Sequence, residues 1–245
     1  MTPDQIADNI FAVRQRMESA CERSGRPPQS VRLIAVSKTM SAETVAVALA
    51  LGVQDFGENR LEEALGKMFA LDGADAPHWH MLGHVQSRKA KEVVQAGFSL
   101  IHSLDTLKLA HRYDRFALEF GVSLPVLLEV NVSGEASKAG WQIPDWESDK
   151  DVRARFFAEA KNVLQCKGLV VRGLMTMAPY EVEPEKTRPV FRCLARLRDA
   201  LQEELGQALP ELSMGMTNDY DIAIEEGATL VRIGRAIFGE REAKV

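Results

Sequence analysis

Hydrophobic positions along this chain alternate between two periods, and the alternation recurs in a fixed order. From Pro3 to Arg23 the apolar residues Ile6, Ile10, Val13 and Met17 recur at steps of 4, 3 and 4, one stripe of an amphipathic helix. That stripe ends near Gly25 and the Pro27-Pro28 pair. Val31 to Lys38 (VRLIAVSK) then forms a nearly continuous apolar run, too short for a helix and rich in β-branched residues. Such a run predicts a parallel-sheet strand buried on both faces. The pair repeats: residues 41–52 read as helix, 53–58 as strand, 60–69 as helix, 78–83 as strand and 86–95 as helix. Strand 98–104 precedes helix 106–120, strand 125–131 precedes helix 152–165, and strand 168–175 precedes helix 185–206. Strand 211–216, helix 219–226 and strand 229–234 complete the series before a short tail.

Eight strand-and-helix units with no second kind of segment predict an α/β protein of one domain, residues 1–245, folded as a closed (β/α)8 barrel with an extra N-terminal helix. An open doubly wound sheet would carry Gly-x-Gly-x-x-Gly after its first strand. Here the first strand ends in Ser37-Lys38-Thr39, so that alternative loses. One connection is long and irregular. Residues 131–150 hold Gly134, Gly140, Pro144, Trp141 and Trp146, and a loop of this size suggests a functional segment or lid.

Composition narrows the function classes. Thirty Lys and Arg against 35 Asp and Glu give a net charge of −5, so there is no global positive field to gather counterions from a nucleic-acid backbone. No apolar run approaches the roughly 18 to 20 residues that span a bilayer. The N-terminus MTPDQIADNI is acidic where a secretory leader would be basic, so a cytoplasmic protein is expected. Cys21, Cys166 and Cys193 are odd in number and far apart, which fits packing residues rather than a disulfide framework or a zinc site.

In a (β/α)8 barrel the chemistry gathers at the C-terminal strand ends. Lys38 stands at the end of the first strand, sharing a face with Val36 and Ile34. An ammonium beside apolar surroundings is pushed towards its neutral amine, a nucleophile suited to a carbonyl. The competing reading is a lysine reaching solvent from a loop. In the last unit, Gly234 and Arg235 follow a strand and precede a helical turn, where backbone N–H groups can cradle an anion. Thr217 could add a hydroxyl to the same phosphate or cap the helix beginning near Asp219. Arg232 lies inside an apolar strand and needs an acceptor, either Glu129, Asp55 or a ligand atom. Lysine, anion cradle and inward arginine together match what a pyridoxal phosphate site requires. His78 and His80 form an H-x-H pair without a third ligand placed by spacing, which favours packed histidines over a metal site. The methionines at 175, 177, 214 and 216 read as core filler, and Glu62 and Glu63 read as a solvated helix face.

The blocks LIAVSKT (33–39), FGENR (56–60), WHMLGHVQSRKAK (79–91), HSLD (102–105), NVSGEASKAGW (131–141), GLMTMAP (173–179), LSMGMTNDYDIAI (212–224) and TLVRIGRAIFGER (229–241) cover nearly the whole chain. Together they resemble the pyridoxal phosphate homeostasis protein family, single-domain relatives of the alanine racemase barrel. The resemblance implies that Lys38 holds pyridoxal 5'-phosphate as a Schiff base, that Arg232 faces the pyridine nitrogen, and that Thr217, Gly234 and Arg235 line the phosphate. It places Asn59, His80 and Met214 near the cofactor. Thr217 stands where the family has serine, which keeps the hydroxyl, and Arg88 stands where asparagine is usual. Racemase relatives add a β-rich domain supplying a catalytic tyrosine, whereas this chain ends soon after its eighth strand. The resemblance therefore implies a monomeric cofactor carrier that buffers pyridoxal phosphate and delivers it to apo-enzymes. A weak amino-acid racemase, a lysine Schiff-base aldolase and an interaction protein with a vestigial site are the competing readings.

Overall fold

All eight predicted strands form. In the computed structural model, which describes residues 1–73, 75–180 and 183–240, they are β1 (Arg32–Val36), β2 (Asp55–Glu58), β3 (His78–Met81), β4 (Leu100–Leu104), β5 (Leu124–Asn131), β7 (Leu169–Met175), β8 (Glu211–Ser213) and β9 (Leu230–Ile233). The remaining strand, β6 (Trp141–Gln142), lies within the long 131–150 connection. Parallel pairing runs from β4 through β3, β2, β1, β9, β8 and β7 to β5. A further pairing of β4 with β5, at Ile101 with Val126 and Leu104 with Leu128, closes the ring. The closed barrel expected from the repeat is thus the observed architecture.

Close packing of β7 against β8 depends on one glycine. A Cβ at Gly173 would sit 1.8 Å from the Glu211 carbonyl oxygen, at a φ of +155°, so only glycine fits. The pairing of β5 with β7 shifts register between Val126 and Leu127, and Leu127, the first residue past the shift, pairs with Gly173 itself.

The helices are α1 (Pro3–Arg23), α2 (Ala42–Ala50), α3 (Leu61–Ala70), α4 (Ala90–Gln95), α5 (Leu107–Phe120), α6 (Lys150–Leu164), α7 (Arg188–Leu205), α8 (Tyr220–Glu225) and α9 (Arg235–Phe238). Their starts follow local chemistry. Thr2 and Gln5 form a capping box on α1, Ser41 accepts from the Thr44 N–H, and Thr106 accepts from the Leu109 N–H. Residues 184–187 are a tight 3-10 turn, and α7 begins only at Arg188 because Pro189, with no N–H, is tolerated just in a helix's first turn.

The N-terminal helix has a structural task. Because α9 has only four residues, α1 covers this part of the barrel, packing on α8, α9 and α2. Asn9 donates to the Ile237 carbonyl at 2.9 Å and Arg14 to the Gly52 carbonyl at 2.8 Å. Ile6, Ile10, Val13 and Met17, the residues of the predicted stripe, are all buried. Each large aliphatic side chain buried in this way contributes about 1.5–3 kcal/mol.

The 131–150 connection is tied down rather than irregular throughout. β6 pairs with the end of β5, Val130 with Trp141 and Asn131 with Gln142. Asn131 donates to the Glu135 carbonyl and to Gln142 Oε1, and accepts from the N–H groups of Ser133 and Gly134. Trp141, Ile143 and Trp146 are buried, and Trp146 Nε1 donates to Cys193 Sγ at 3.1 Å. Among the described residues no helix is long and apolar enough to cross a membrane.

Candidate functional site

The C-terminal strand ends surround a cavity of about 240 Å³. Of the predicted residues, Lys38, Asn59, Thr217, Arg232, Gly234 and Arg235 all line it. Residues from the opposite ends of the chain meet there because β1 pairs with β9, Ile34 beside Arg232 and Ala35 beside Ile233.

Alternation along β1 decides where Lys38 points. Ile34 belongs to the small apolar cluster enclosed by the strands, while Ala35 belongs to the core between strands and helices. Lys38, in phase with Ile34 and Val36, therefore faces the cavity. The backbone on both sides of it is clamped. Ser37 is buried and donates to Glu58 Oε1 at 2.6 Å. The ammonium of Lys67, itself buried, donates to the Ser37 carbonyl at 2.8 Å, to Glu58 Oε1 at 2.7 Å and to Glu63 Oε1 at 2.8 Å. Thr39 adopts a φ of +71°, an uncommon conformation for a non-glycine residue, and its N–H donates to the same Glu63 oxygen. Burial raises the Glu58 carboxyl against the opposing pull of Lys67 and Ser37. Glu63 is thus part of this clamp and not simply a solvated helix face. Nothing in the sequence pairs it with Thr39 or marks Lys67 as buried, since the contacts cross from α3 to β1.

Arg232 is 5% exposed and forms no ion pair among the described residues. Its Nη1 donates to Ser213 Oγ at 2.6 Å and its Nη2 to the Thr176 carbonyl at 2.9 Å. Neither Glu129 nor Asp55 is its hydrogen-bonding partner; two neutral oxygens hold it. Burial pushes the guanidinium down to about 10, with the charges of Glu129 and Asp219 acting in the other direction. It remains a cation at neutral pH. Asp219 lines the cavity, and burial raises its carboxyl even though its Oδ1 accepts from the Met216 N–H at 2.7 Å.

Thr217 is not a helix cap. The residue before α8 is Asp219, which makes no side-chain cap hydrogen bond to it, and Thr217 is left facing the cavity. Gly234 lies against β1, where a Cβ would come within 3.2 Å of the Val36 carbonyl oxygen. Arg235 is exposed at the rim and donates to Asn218 Oδ1 at 3.3 Å.

Two predicted residues lie elsewhere. Met214 is buried in the core between strands and helices, while Met175, Met177 and Met216, read from sequence as core filler, line the cavity. His80 is turned into the barrel below the cavity, 2.9 Å from Asp55 Oδ1 and 3.0 Å from His102 Nε2. Arg88 is exposed and donates to Gln86 Oε1 at 2.9 Å. The sequence reading did not single out Lys138 or Asp219, both of which line the cavity. Each sits inside a block already noted for its resemblance, which was the available signal.

Comparison with known proteins agrees with this architecture. The alanine racemase N-terminal domain family matches residues 3–242. A pyridoxal phosphate homeostasis protein of Pseudomonas aeruginosa is 43% identical over 238 residues, covering 97% of this chain and 96% of that protein. One from Aquifex aeolicus is 40% identical over 235 residues, covering 96% and 98% respectively. The structure of PipY from Synechococcus elongatus with pyridoxal phosphate bound superposes with a TM-score of 0.79 at 36% identity, covering 96% of this chain and all of PipY. With a closed parallel barrel and identities of this size over almost its full length, the chain belongs to the pyridoxal phosphate homeostasis protein family.

Proposed function

We propose that this protein binds pyridoxal 5'-phosphate reversibly in the barrel-mouth cavity, with Lys38 as the residue that takes its aldehyde, and that it serves as a carrier delivering the cofactor to apo-enzymes. The observation carrying this reading is the convergence of Lys38, Thr217, Gly234 and the buried cation Arg232 on one cavity. The donor set fits the group: an amine for an aldehyde, a hydroxyl and backbone for a phosphate, and a guanidinium for a ring nitrogen. When bound, the cofactor supplies an electrophilic carbon and an aromatic electron sink. Lys38 presents its amine from a backbone clamped at Ser37 and Thr39, which limits the conformations the lysine must give up on binding. Arg232, a cation that can only donate, would face the ring nitrogen without protonating it, which would leave the ring a poor electron sink and favour holding over turnover. Met175 and Met177 supply adaptable apolar walls.

The test is the absorbance of the purified protein with added pyridoxal phosphate, followed by borohydride reduction and mass mapping. The expected result is a visible band, with the reduced adduct on Lys38. Lys38→Ala is expected to weaken retention by on the order of a hundredfold, about 3 kcal/mol. A protein that takes up no pyridoxal phosphate removes the proposal, and steady amino-acid turnover abolished in Lys38→Ala replaces the carrier with an enzyme.

A further inference from the structure

A single line of hydrogen bonds leaves Arg232 in the direction away from the cavity. Arg232 Nη1 meets Ser213 Oγ at 2.6 Å, Ser213 Oγ meets His102 Nδ1 at 2.8 Å, His102 Nε2 meets His80 Nδ1 at 3.0 Å, and His80 Nε2 meets Asp55 Oδ1 at 2.9 Å. The five residues come from five strands, β9, β8, β4, β3 and β2. Ser213, His102 and His80 are buried, and the two imidazoles meet edge to face with centroids 5.2 Å apart.

The ends decide which way each proton lies. Arg232 can only donate. Burial raises the Asp55 carboxyl, but the hydrogen bond from His80 and neighbouring positive charge, Arg32 included, outweigh burial and hold it below the usual carboxylate range. Asp55 is therefore ionised and can only accept. Ser213, having accepted from Arg232, has its own proton for His102 Nδ1. His102 then carries hydrogen on Nε2 and donates to His80 Nδ1, and His80 carries hydrogen on Nε2 and donates to Asp55. Both rings are neutral, in accord with burial that lowers both imidazoles and His102 strongly. Each link accepts from one side and donates to the other, so the dipoles align and reinforce one another, acceptor ends towards Arg232.

The far end meets solvent. Asp55 and His80 line a second cavity, of about 370 Å³, shared with Arg32, His78, Arg172 and Glu211. Arg32 stands 3.8 Å from Asp55 and 2.8 Å from Glu211, and His78 stands 3.5 Å from Asp55. At the other end, Glu129 and Asp219 are the carboxylates whose charge acts on Arg232.

We propose that Asp55, His80, His102 and Ser213 are positioning residues, a one-directional chain that orients Arg232 towards the cofactor and links the cofactor cavity to the opposite end of the barrel. The cofactor part rests on the binding proposed above; the proton arrangement does not.

The experiment has two arms. Imidazole 15N NMR of the protein without cofactor is expected to show hydrogen on Nε2 of both His80 and His102. Pyridoxal phosphate titration, read by visible absorbance, compares wild type with Ser213→Ala, Ser213→Thr and Asp55→Asn. Ser213→Ala is expected to bind about tenfold more weakly, the value of one hydrogen bond to a charged group, and Ser213→Thr to stay within about twofold of wild type. Asp55→Asn replaces the obligate acceptor with an amide that can donate or accept. It is expected to split the imidazole signals, shift the bound absorbance band and weaken binding about fivefold, although residue 55 lies outside the cavity. Hydrogen on Nδ1 of either ring in the wild type overturns the chain. So does an Asp55→Asn protein with unchanged imidazole signals, absorbance and affinity. If Ser213→Ala does not fold, Asp55→Asn and Ser213→Thr still decide. A wild type that takes up no cofactor defeats the binding proposal and with it the cofactor part, and the NMR arm alone then judges the proton arrangement.

Discussion

The barrel wall separates two interiors of different character. Outside it, between strands and helices, large apolar side chains such as Phe56, Phe191, Leu194 and Leu197 are fully buried in one extensive apolar cluster. Inside it, Ile34, Leu100, Leu127, Met175 and Leu230 form a small cluster. They share that space with His80, His102, Ser213, Arg232 and Glu129, all buried. The outer interior gains its stability from dry packing, which is non-directional and tolerates exchange among shapes of similar volume. The inner one holds polar groups whose burial costs free energy unless each finds a partner, and those partners fix proton positions. Stability and chemistry are thus carried by opposite faces of the same strands.

The sharpest way to break this contrast is Phe191→Ala. The cavity it opens in the outer interior is expected to cost about 3–5 kcal/mol in urea unfolding, while cofactor uptake per folded molecule stays unchanged. A loss of affinity in the folded fraction would show that the two interiors are coupled.

Glu129→Gln tests the inner interior with the opposite sign. Burial, reinforced by Asp105, raises the Glu129 carboxyl from 4.5 to about 7. Below pH 4.5 it is protonated in folded and unfolded chains alike. As the pH rises from 4.5 to 7 the unfolded chain releases the proton while the folded one keeps it, so wild-type stability falls across that window. The amide cannot ionise, so Glu129→Gln is expected to be the more stable protein, by an amount that grows through the window to about 3 kcal/mol above pH 7 and vanishes below 4.5. Unfolding curves at pH 4, 5.5 and 7.5 read it directly, and a gap independent of pH would remove this account of Glu129.

The smallest effect sets the baseline. The Arg23 to Glu225 ion pair, 2.6 Å, joins α1 to α8 at the surface with the arginine half exposed. Arg23→Ala is expected to cost no more than about 1 kcal/mol, less at high salt. A larger loss would mean that α1 is held by its polar edge rather than by its buried stripe.

Much of this was legible beforehand. Each strand is legible as a short apolar run and each long helix as the longer stretch between two such runs, because burial on two faces and burial on one leave different periods. The cavity residues from the first unit and the last two, Lys38, Thr217, Arg232 and Gly234, stood at strand ends where a barrel must converge. What escaped was contact between distant segments. β6 has two residues and no periodicity to detect. Glu63 looked like a solvated face because Thr39 meets it, and its helical neighbour Lys67 is buried, only when α3 folds back on β1. Met214 and Met216 differ by one turn of the chain, and which of them reaches the cavity depends on how the loop after β8 bends through Gly215, at a φ of +88°.

The sequence by itself determined the order of elements, the repeat that demands a closed barrel, and the residue types gathered at its mouth, because hydrophobic period and chain order are local properties. Tertiary structure decided which partner each buried polar group has. His80 hydrogen-bonds Asp55 and His102, and Arg232 hydrogen-bonds Ser213 and a backbone carbonyl, with no ion pair to a carboxylate among the described residues. Those choices follow from register across five strands and from a low-dielectric interior in which every donor must find an acceptor, and neither is set until the ring closes.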